Sequence, residues 1–283
     1  MISYLKRVYD EIKNVIKNIN HIHTPIIAQM QLHRLYESPR IDEDGCLLRF
    51  GFKACSQNDE DGIIQEIFSR IGTTNRYFVE FGVGNGLENN TLYLLIKGWK
   101  GVWIEGGKNN AEIIRRKFHS LINKNILTFD NSFISKENIN SLLAQKKVPN
   151  EVDLLSIDID GNDYHVFKEI NCITPRVVVV EYNAKFPPPV LWVMKYNPKH
   201  TWDSTDYMGA SLKSFEYLFN DKGYSLVGCN ITGSNAFFVR KDLVGDRFQQ
   251  PFSAENHYEP ARHLLTAAFR GRLTPNFGEF EII

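Results

Sequence analysis

Residues 2–20 place Ile2, Leu5, Val8, Ile12, Ile16 and Ile19 at helical spacing, with Lys6, Lys13 and Lys17 among the polar positions between them. The spacing predicts an amphipathic helix, whose apolar stripe could pack on its own domain, on a second copy of the chain in a homo-oligomer, or on a membrane surface. From about residue 56 the pattern changes to short β-branched or aromatic runs alternating with amphipathic stretches. The runs Tyr77–Phe81, Gly101–Ile104, Ile126–Phe129, Val152–Ile157 and Val177–Val180 read as strands. Asp61–Arg70, Asn90–Lys97, Asn109–Phe118, Lys136–Gln145 and Tyr164–Ile170 read as the helices around and between them. That order predicts βαβ units and an α/β fold with a doubly wound, mostly parallel sheet. Ser211–Asp221 reads as a further helix stopped at Gly223. Tyr224–Cys229 and Asn235–Val239, joined by a short glycine-containing segment, then close a seven-stranded sheet with an antiparallel hairpin. A dinucleotide-binding dehydrogenase normally continues with parallel units, so the hairpin leans away from NAD.

The segmentation that follows is a helical extension over 1–55, a ligand-binding domain over 56–243 and a tail over 244–283 packed on that domain, with one helical piece near Ala261–Arg270. A proline-rich excursion at Phe186–Pro189 and a polar aromatic stretch to Tyr207 form an insertion at about 184–210. The 283 residues carry 33 basic and 33 acidic side chains, so no global field draws in nucleic acid, and a charged substrate must be met locally. Cys46, Cys55, Cys172 and Cys229 lack zinc-knuckle spacing and suit a reducing compartment. No stretch approaches the ~20 apolar residues of a membrane span, and the N-terminus lacks the apolar core of a secretory signal. The expectation is a cytoplasmic protein with no nucleic-acid partner.

Three constellations carry chemistry. The first strand runs into Gly82-Val83-Gly84-Asn85-Gly86, where glycines allow a sharp turn and close approach of a ligand ahead of a helix N-terminus. Glu105 ends the second strand, 23 residues after Gly82 (105 − 82), where nucleoside-binding α/β folds place an acid for ribose hydroxyls. Asp130 ends the third strand and suits either an adenine amino group or a turn. The fourth strand ends in Asp158-Ile159-Asp160-Gly161 and the fifth in Glu181-Tyr182-Asn183. In a parallel sheet these ends face one crevice, so Asp158, Asp160, Glu181 and Asn183 form a candidate set for a hard cation such as Mg²⁺ or Mn²⁺, with Fe²⁺ if a histidine joins. A capped strand-to-helix turn is the plainer alternative. In the insertion, His200 is a candidate base, beside Trp192, Tyr196 and Trp202, which suit either stacking on a sugar or base or packing of the insertion itself. His119, His165, His257 and His263 find no partner at this level.

With Phe78-Val79-Glu80-Phe81-Gly82-Val83-Gly84-Asn85-Gly86, Trp103-Ile104-Glu105-Gly106 and Ser156–Asp163, the chain resembles class I S-adenosylmethionine-dependent methyltransferases. Over roughly residues 55–240 it looks like the FkbM-like and related sugar O-methyltransferases of bacterial surface-polysaccharide and natural-product clusters. Ser56-Gln57-Asn58-Asp59-Glu60-Asp61-Gly62 looks like the lead-in such enzymes carry before the first helix. The resemblance implies that Glu80 and Gly82, Gly84 and Gly86 hold the methionine end of the cofactor and that Glu105 holds the ribose. It places the acidic fourth motif on Asp158 and carries metal ligation to Asp158, with Glu181 and Asn183 following. Glu181-Tyr182-Asn183 departs from the more common Asp-Asn pair.

The chemistry expected is transfer of a methyl group to a hydroxyl of a sugar or nucleotide-linked sugar, assisted by a divalent cation, with Asp160 or His200 taking the proton. Lys185, Lys195, Lys199 and Arg240 are the candidate cations for the phosphates of a nucleotide-sugar. A metal-dependent glycosyltransferase built on Asp158-Ile159-Asp160 ranks second, an NAD enzyme third, and a non-enzymatic binding protein is the reading from another class.

Overall fold

A computed structural model describes the backbone of residues 2–270, 273–278 and 280, and their side chains except those of 2–5, 7–8 and 14–22. The first helix, α1 (Ile2–Tyr36), passes through Pro25 and is longer than the apolar spacing predicts. Of the predicted stripe, Ile2, Leu5, Val8, Ile16 and Ile19, with Lys17, lie outside the described side chains, whereas Ile12 is exposed. The end of the helix buries Ala28 and Leu32, the latter in a small cluster with Ile41, Leu48, Ile231 and Leu265. Among the described residues, no helix is long and apolar enough to cross a membrane.

The chain then alternates as the sequence predicts, with α2 (Glu60–Ile71), β1 (Tyr77–Phe81), α3 (Leu92–Ile96), β2 (Lys100–Ile104), α4 (Lys108–Lys117), α5 (His119–Asn123), β3 (Leu127–Asp130), α6 (Ile139–Gln145), β4 (Glu151–Ile157), α7 (Asp163–Glu169) and β5 (Thr174–Glu181). After the insertion come α8 (Leu212–Asp221), capped by the Ser211 hydroxyl, and the strands β6 (Tyr224–Cys229) and β7 (Asn235–Arg240). Short helices α9 (Lys241–Val244), α10 (Ala254–His257) and α11 (Thr266–Phe269) follow in the tail.

The seven strands form one sheet in the order β3-β2-β1-β4-β5-β7-β6. The first five are mutually parallel, and β7 pairs antiparallel to both β5 and β6. Burial on both faces follows the two-residue period of a strand. Val178 and Val180 join one core cluster with Val79, Phe81 and Phe215, while Val177 and Val179 join the other with Phe78, Ile63 and Trp103.

One buried ion pair holds the edge of the sheet opposite the strand C-termini. The Asp153 carboxylate accepts from Arg176 Nη1 at 2.6 Å, from the backbone N–H groups of Thr74, Asn75 and Arg76, and from the Thr74 hydroxyl. Arg176 also donates to the carbonyls of Gly72 and Ile71, joining the end of α2 to the start of β1, β4 and β5. Burial pushes the Asp153 carboxyl up, but Arg176 and the N–H donors outweigh it and hold it below the usual carboxylate range. A depressed carboxyl contributes stability above its unfolded pKa and loses it as pH falls through the folded value. Asp153→Asn is therefore expected to cost about 3–5 kcal/mol at neutral pH by stranding Arg176, measured by urea unfolding. The deficit should shrink on acidification below about pH 4.

Candidate active site

The site lies at the C-terminal edge of the parallel strands, where α/β sheets hold ligands. The loop after β1 turns at Gly82, whose φ is +72° and whose added Cβ would meet the Asp158 carbonyl oxygen at 1.6 Å. No side chain fits there, so the glycine loop and the end of β4 are backbone-to-backbone neighbours. Above them open two joined cavities of about 290 and 680 Å³, which share Gln57, Gly82, Gly84, Asn110 and Asp158. The larger runs from Glu105 and Phe133 to Asp160, Glu181 and His200.

Glu80 lines the smaller cavity, and its buried carboxylate accepts from Asn89 Nδ2, the backbone N–H groups of Asn90 and Thr91, and the Thr91 hydroxyl. It therefore ties Asn89–Thr91, the far end of the connection that carries the glycines, back to β1. Burial pushes it up to about 7 against those bonds. Glu105 accepts from Gly84 N–H at 2.9 Å and from Gly107 N–H at 2.6 Å. One oxygen thus fixes each loop; Oε1 also accepts from Asn110 Nδ2 at 3.5 Å, whereas Oε2 accepts once and can take a further donor. Asp130 does not join the site: its carboxylate pairs with Lys146 and the Ser132 hydroxyl, while Ser132, Phe133 and Ile134 form the wall. Burial raises it, but these partners win and leave it below the usual range. The turn alternative for Asp130 is the one this geometry fits.

At the ends of β4 and β5, one carboxylate oxygen from each of Asp158, Asp160 and Glu181 falls within 4.8 Å of the others. Burial, then Asp160, Asp163 and Glu80, push the Asp158 carboxyl well up; burial, then Asp158, Asp163 and Asp160, do the same to Glu181. The Glu181 Oε2 atom is buried with no hydrogen-bond partner. Asp160 holds the left-handed φ of 56°, uncommon for a residue with a Cβ, which turns the chain back toward the cluster. By contrast, both oxygens of the Asp163 carboxylate are engaged by backbone, accepting from the N–H groups of Ile159 and Gly161 at 2.9 Å each. Asn183 is the exception in the predicted ligand set. Its Nδ2 donates to the carbonyls of Asp206 and Met208 and its Oδ1 accepts from Lys185 N–H, so its amide pins the insertion rather than joining the acids.

His200 packs on Gly161, where a Cβ would lie 2.4 Å from the imidazole, and its Nε2 sits 3.1 Å from the Asp160 carbonyl oxygen. A carbonyl only accepts, so Nε2 carries the hydrogen and Nδ1 keeps the lone pair. Of the insertion aromatics, Trp192 stacks on Phe186 and Tyr196 bonds to Glu137, whereas Trp202 lines the cavity. Arg240 lies at the opposite edge of the sheet, paired with Asp242 and Glu151, which removes it from any role at the crevice. Lys195 and Lys199 are exposed and line neither cavity, and Lys185 is paired with Asp206.

The lead-in Ser56–Gly62, which the resemblance singles out without giving its acids a role, stands behind the site. Glu60 is buried and accepts from Asn58, Asn230 and Asn235; Asp61 accepts from the N–H groups of Ala54, Cys55 and Ser56. Asp59 is pushed up to about 7 by burial and by Glu60. This lead-in seats Gln57 against both cavities and ties it to the β6–β7 turn. The signal available in sequence was three consecutive acids at a helix start, which a solvated N-terminal turn explains equally well.

The family profile described as methyltransferase FkbM domain matches residues 74–208, the stretch from β1 through the insertion. Residues 74–208 are a methyltransferase domain, and the protein is an S-adenosylmethionine-dependent methyltransferase. No curated protein matches it. Among solved structures, the methyltransferase is similar to the N-terminal domain of EvdMO1 with S-adenosylhomocysteine bound, at 12% identity over 67% of this chain and 88% of that one, TM-score 0.40. It is also similar to a S-adenosylmethionine-dependent methyltransferase from Clostridium acetobutylicum (12%, 75% and 98%, 0.40) and to the methyltransferase domain of bacterial CtHen1 (14%, 65% and 97%, 0.41). The glycosyltransferase, NAD and non-enzymatic readings are set aside by the family match.

Gly82→Ala in the methyltransferase is expected to cost about 3 kcal/mol or more, because both the positive φ and the Asp158 carbonyl oppose a methyl group. Thermal unfolding checks this, and a Gly82→Ala protein as stable as the parent would contradict the close packing of the two loops.

Proposed function

We propose that the methyltransferase transfers the methyl group to a hydroxyl of a sugar, free or nucleotide-linked, with a divalent cation at Asp158, Asp160 and Glu181. The observation that carries the reading is the convergence of those three carboxylates beside the glycine-lined cleft. In the same reading Gly82 and Gly84 border the methionine end of the cofactor and Glu105 accepts from the ribose hydroxyls, whereas Gly86 lines neither cavity and packs on Trp103 and Phe118, where only a residue without a Cβ fits.

The fit of a cation rests on the donor set. Three carboxylates this close repel one another, and Asp158 and Glu181 are in addition poorly hydrated, which drives protonation unless a positive charge stands among them. The orphaned Glu181 Oε2 is an acceptor with no protein donor. All-oxygen ligation favours Mg²⁺ or Mn²⁺ over zinc. When bound, such an ion orients adjacent acceptor oxygens and lowers the pKa of one.

In the transfer, the acceptor oxygen forms a bond to the methyl carbon as the carbon–sulfur bond breaks with its electron pair going to sulfur. The neutral thioether S-adenosylhomocysteine leaves, and the hydroxyl proton passes to a base. Asp160, exposed at the mouth of the cluster, and His200, with Nδ1 free of its backbone bond, are the two groups positioned to take it. Asp163 and Asn162 hold this edge in place, the latter by donating to the Asn197 carbonyl.

The test is calorimetric titration with S-adenosylhomocysteine, followed by a methyl-transfer assay on sugars and nucleotide-sugars with and without chelator. Micromolar binding is expected, weakened about 10- to 100-fold by Glu105→Ala, the scale of hydrogen bonds to a carboxylate. Activity should fall on chelation and return with Mg²⁺ or Mn²⁺, and Asp158→Ala should abolish that return. Full activity in chelator would remove the cation from the mechanism.

A further inference from the structure

Beyond Glu181 the cleft continues into a third cavity of about 390 Å³, floored by Tyr182 to Lys185 and walled by the insertion, the β6–β7 turn and the tail. It shares Glu181, Trp202, Met208, Ser234 and His263 with the cofactor-side cavity, so a ligand seated there reaches the carboxylate cluster without leaving the protein. Its size suits one or two sugar rings, within the range of about 300–1,000 Å³ typical of small-molecule sites.

The charges lining these cavities select among acceptors. Asp158, Asp160 and Glu181 line the cofactor-side cavity, Glu181 also lines the third, and the third cavity's one lining lysine, Lys185, is compensated by Asp206. Among the described residues no other lysine or arginine lines any of the three cavities. A pyrophosphate entering would bring two negative charges to a wall already acidic, with no guanidinium to receive it bidentately. The remaining lining is that of a polyol site: an indole, the hydroxyls of Ser204, Thr205 and Ser234, and the imidazole of His263, which among the described residues forms no side-chain hydrogen bond or ion pair. His263 comes from the tail, outside the segment that matches the FkbM domain.

We propose that this cavity is the acceptor subsite and that it takes an uncharged, polyhydroxylated acceptor, with Trp202 and His263 as specificity-determining residues. The inference rests on the methyltransferase reading of the neighbouring cleft and narrows it from sugars in general to neutral ones.

The test uses the full chain with saturating S-adenosylhomocysteine and Mg²⁺. The probes are methyl glycosides of glucose, mannose, rhamnose and fucose, compared with UDP-glucose and dTDP-glucose, read by saturation-transfer NMR and by tryptophan fluorescence. Binding of at least one neutral glycoside is expected, weakened about tenfold or more by Trp202→Ala and by His263→Gln, the loss of one stacking or hydrogen-bonding contact. The thermal unfolding midpoint of both variants should stay within about 2 °C of the parent's, which separates loss of the subsite from loss of the fold. Tighter binding of the nucleotide-sugars, lost in Lys185→Ala, would overturn the uncharged acceptor. Glycoside binding indifferent to both variants, or no binding of any probe, would overturn the subsite. Failure of S-adenosylhomocysteine itself to bind would instead sink the cofactor reading, and this inference with it.

Discussion

The arrangement of the site depends on the parallel register of β4 and β5. Ile157 pairs with Val180, so one residue further along each strand Asp158 and Glu181 leave the sheet side by side, and the left-handed turn at Asp160 returns a third acid to the same place. The hydrophobic runs of the strands fix this register from both faces, since a slip of one residue would send each valine to the wrong core. Packing thereby forces together charges that would separate in water. The core supplies the free energy that holds an electrostatically unfavourable cluster, and the cluster stores a demand for positive charge or protons.

Much of this was legible because it is written in periodicity. The alternation from Tyr77 onward gave the strand sequence to within a residue or two at most ends, and the short Asn230–Ser234 link gave the hairpin. The insertion of β7 between β5 and β6 is not a property of either strand's own pattern, but of where α8 returns the chain. The first helix ran past its expected end because the stretch up to Tyr36 is stabilised by Leu265 and neighbours in the tail, a contact more than two hundred residues away in sequence. The site was legible where acids end strands and illegible where side-chain direction decides. Asp130 and Asn183 have the right residue type at the right strand end, and each is claimed by a neighbour: Lys146 on α6 in one case, the backbone of the insertion in the other. His263 was unreadable for the opposite reason, since the tail brings it to the cavity across no recognisable motif.

Hydrogen-bond satisfaction then separates acids that build the site from acids that face its contents. Glu80 and Asp163 are surrounded by donors from their own loops, and Glu60 by Asn58 together with Asn230 and Asn235 of the β6–β7 turn, which is how a buried carboxylate can be retained as a structural member. Glu105 is intermediate: its bonds to Gly84 and Gly107 set the cavity wall, while Oε2 can take a further donor. Asp158 and Glu181 have mainly each other and further acids as neighbours. A carboxylate so placed costs stability unless something else supplies the charge, so its persistence argues for a role outside the fold itself. The same criterion applied to cations gives the complementary result. Arg176, Arg240 and Lys146 are all consumed by the framework, and Lys185, which among the described residues is the one lysine or arginine lining the three cavities of the cleft, is paired with Asp206, so little positive charge is left to counter the acidic crevice.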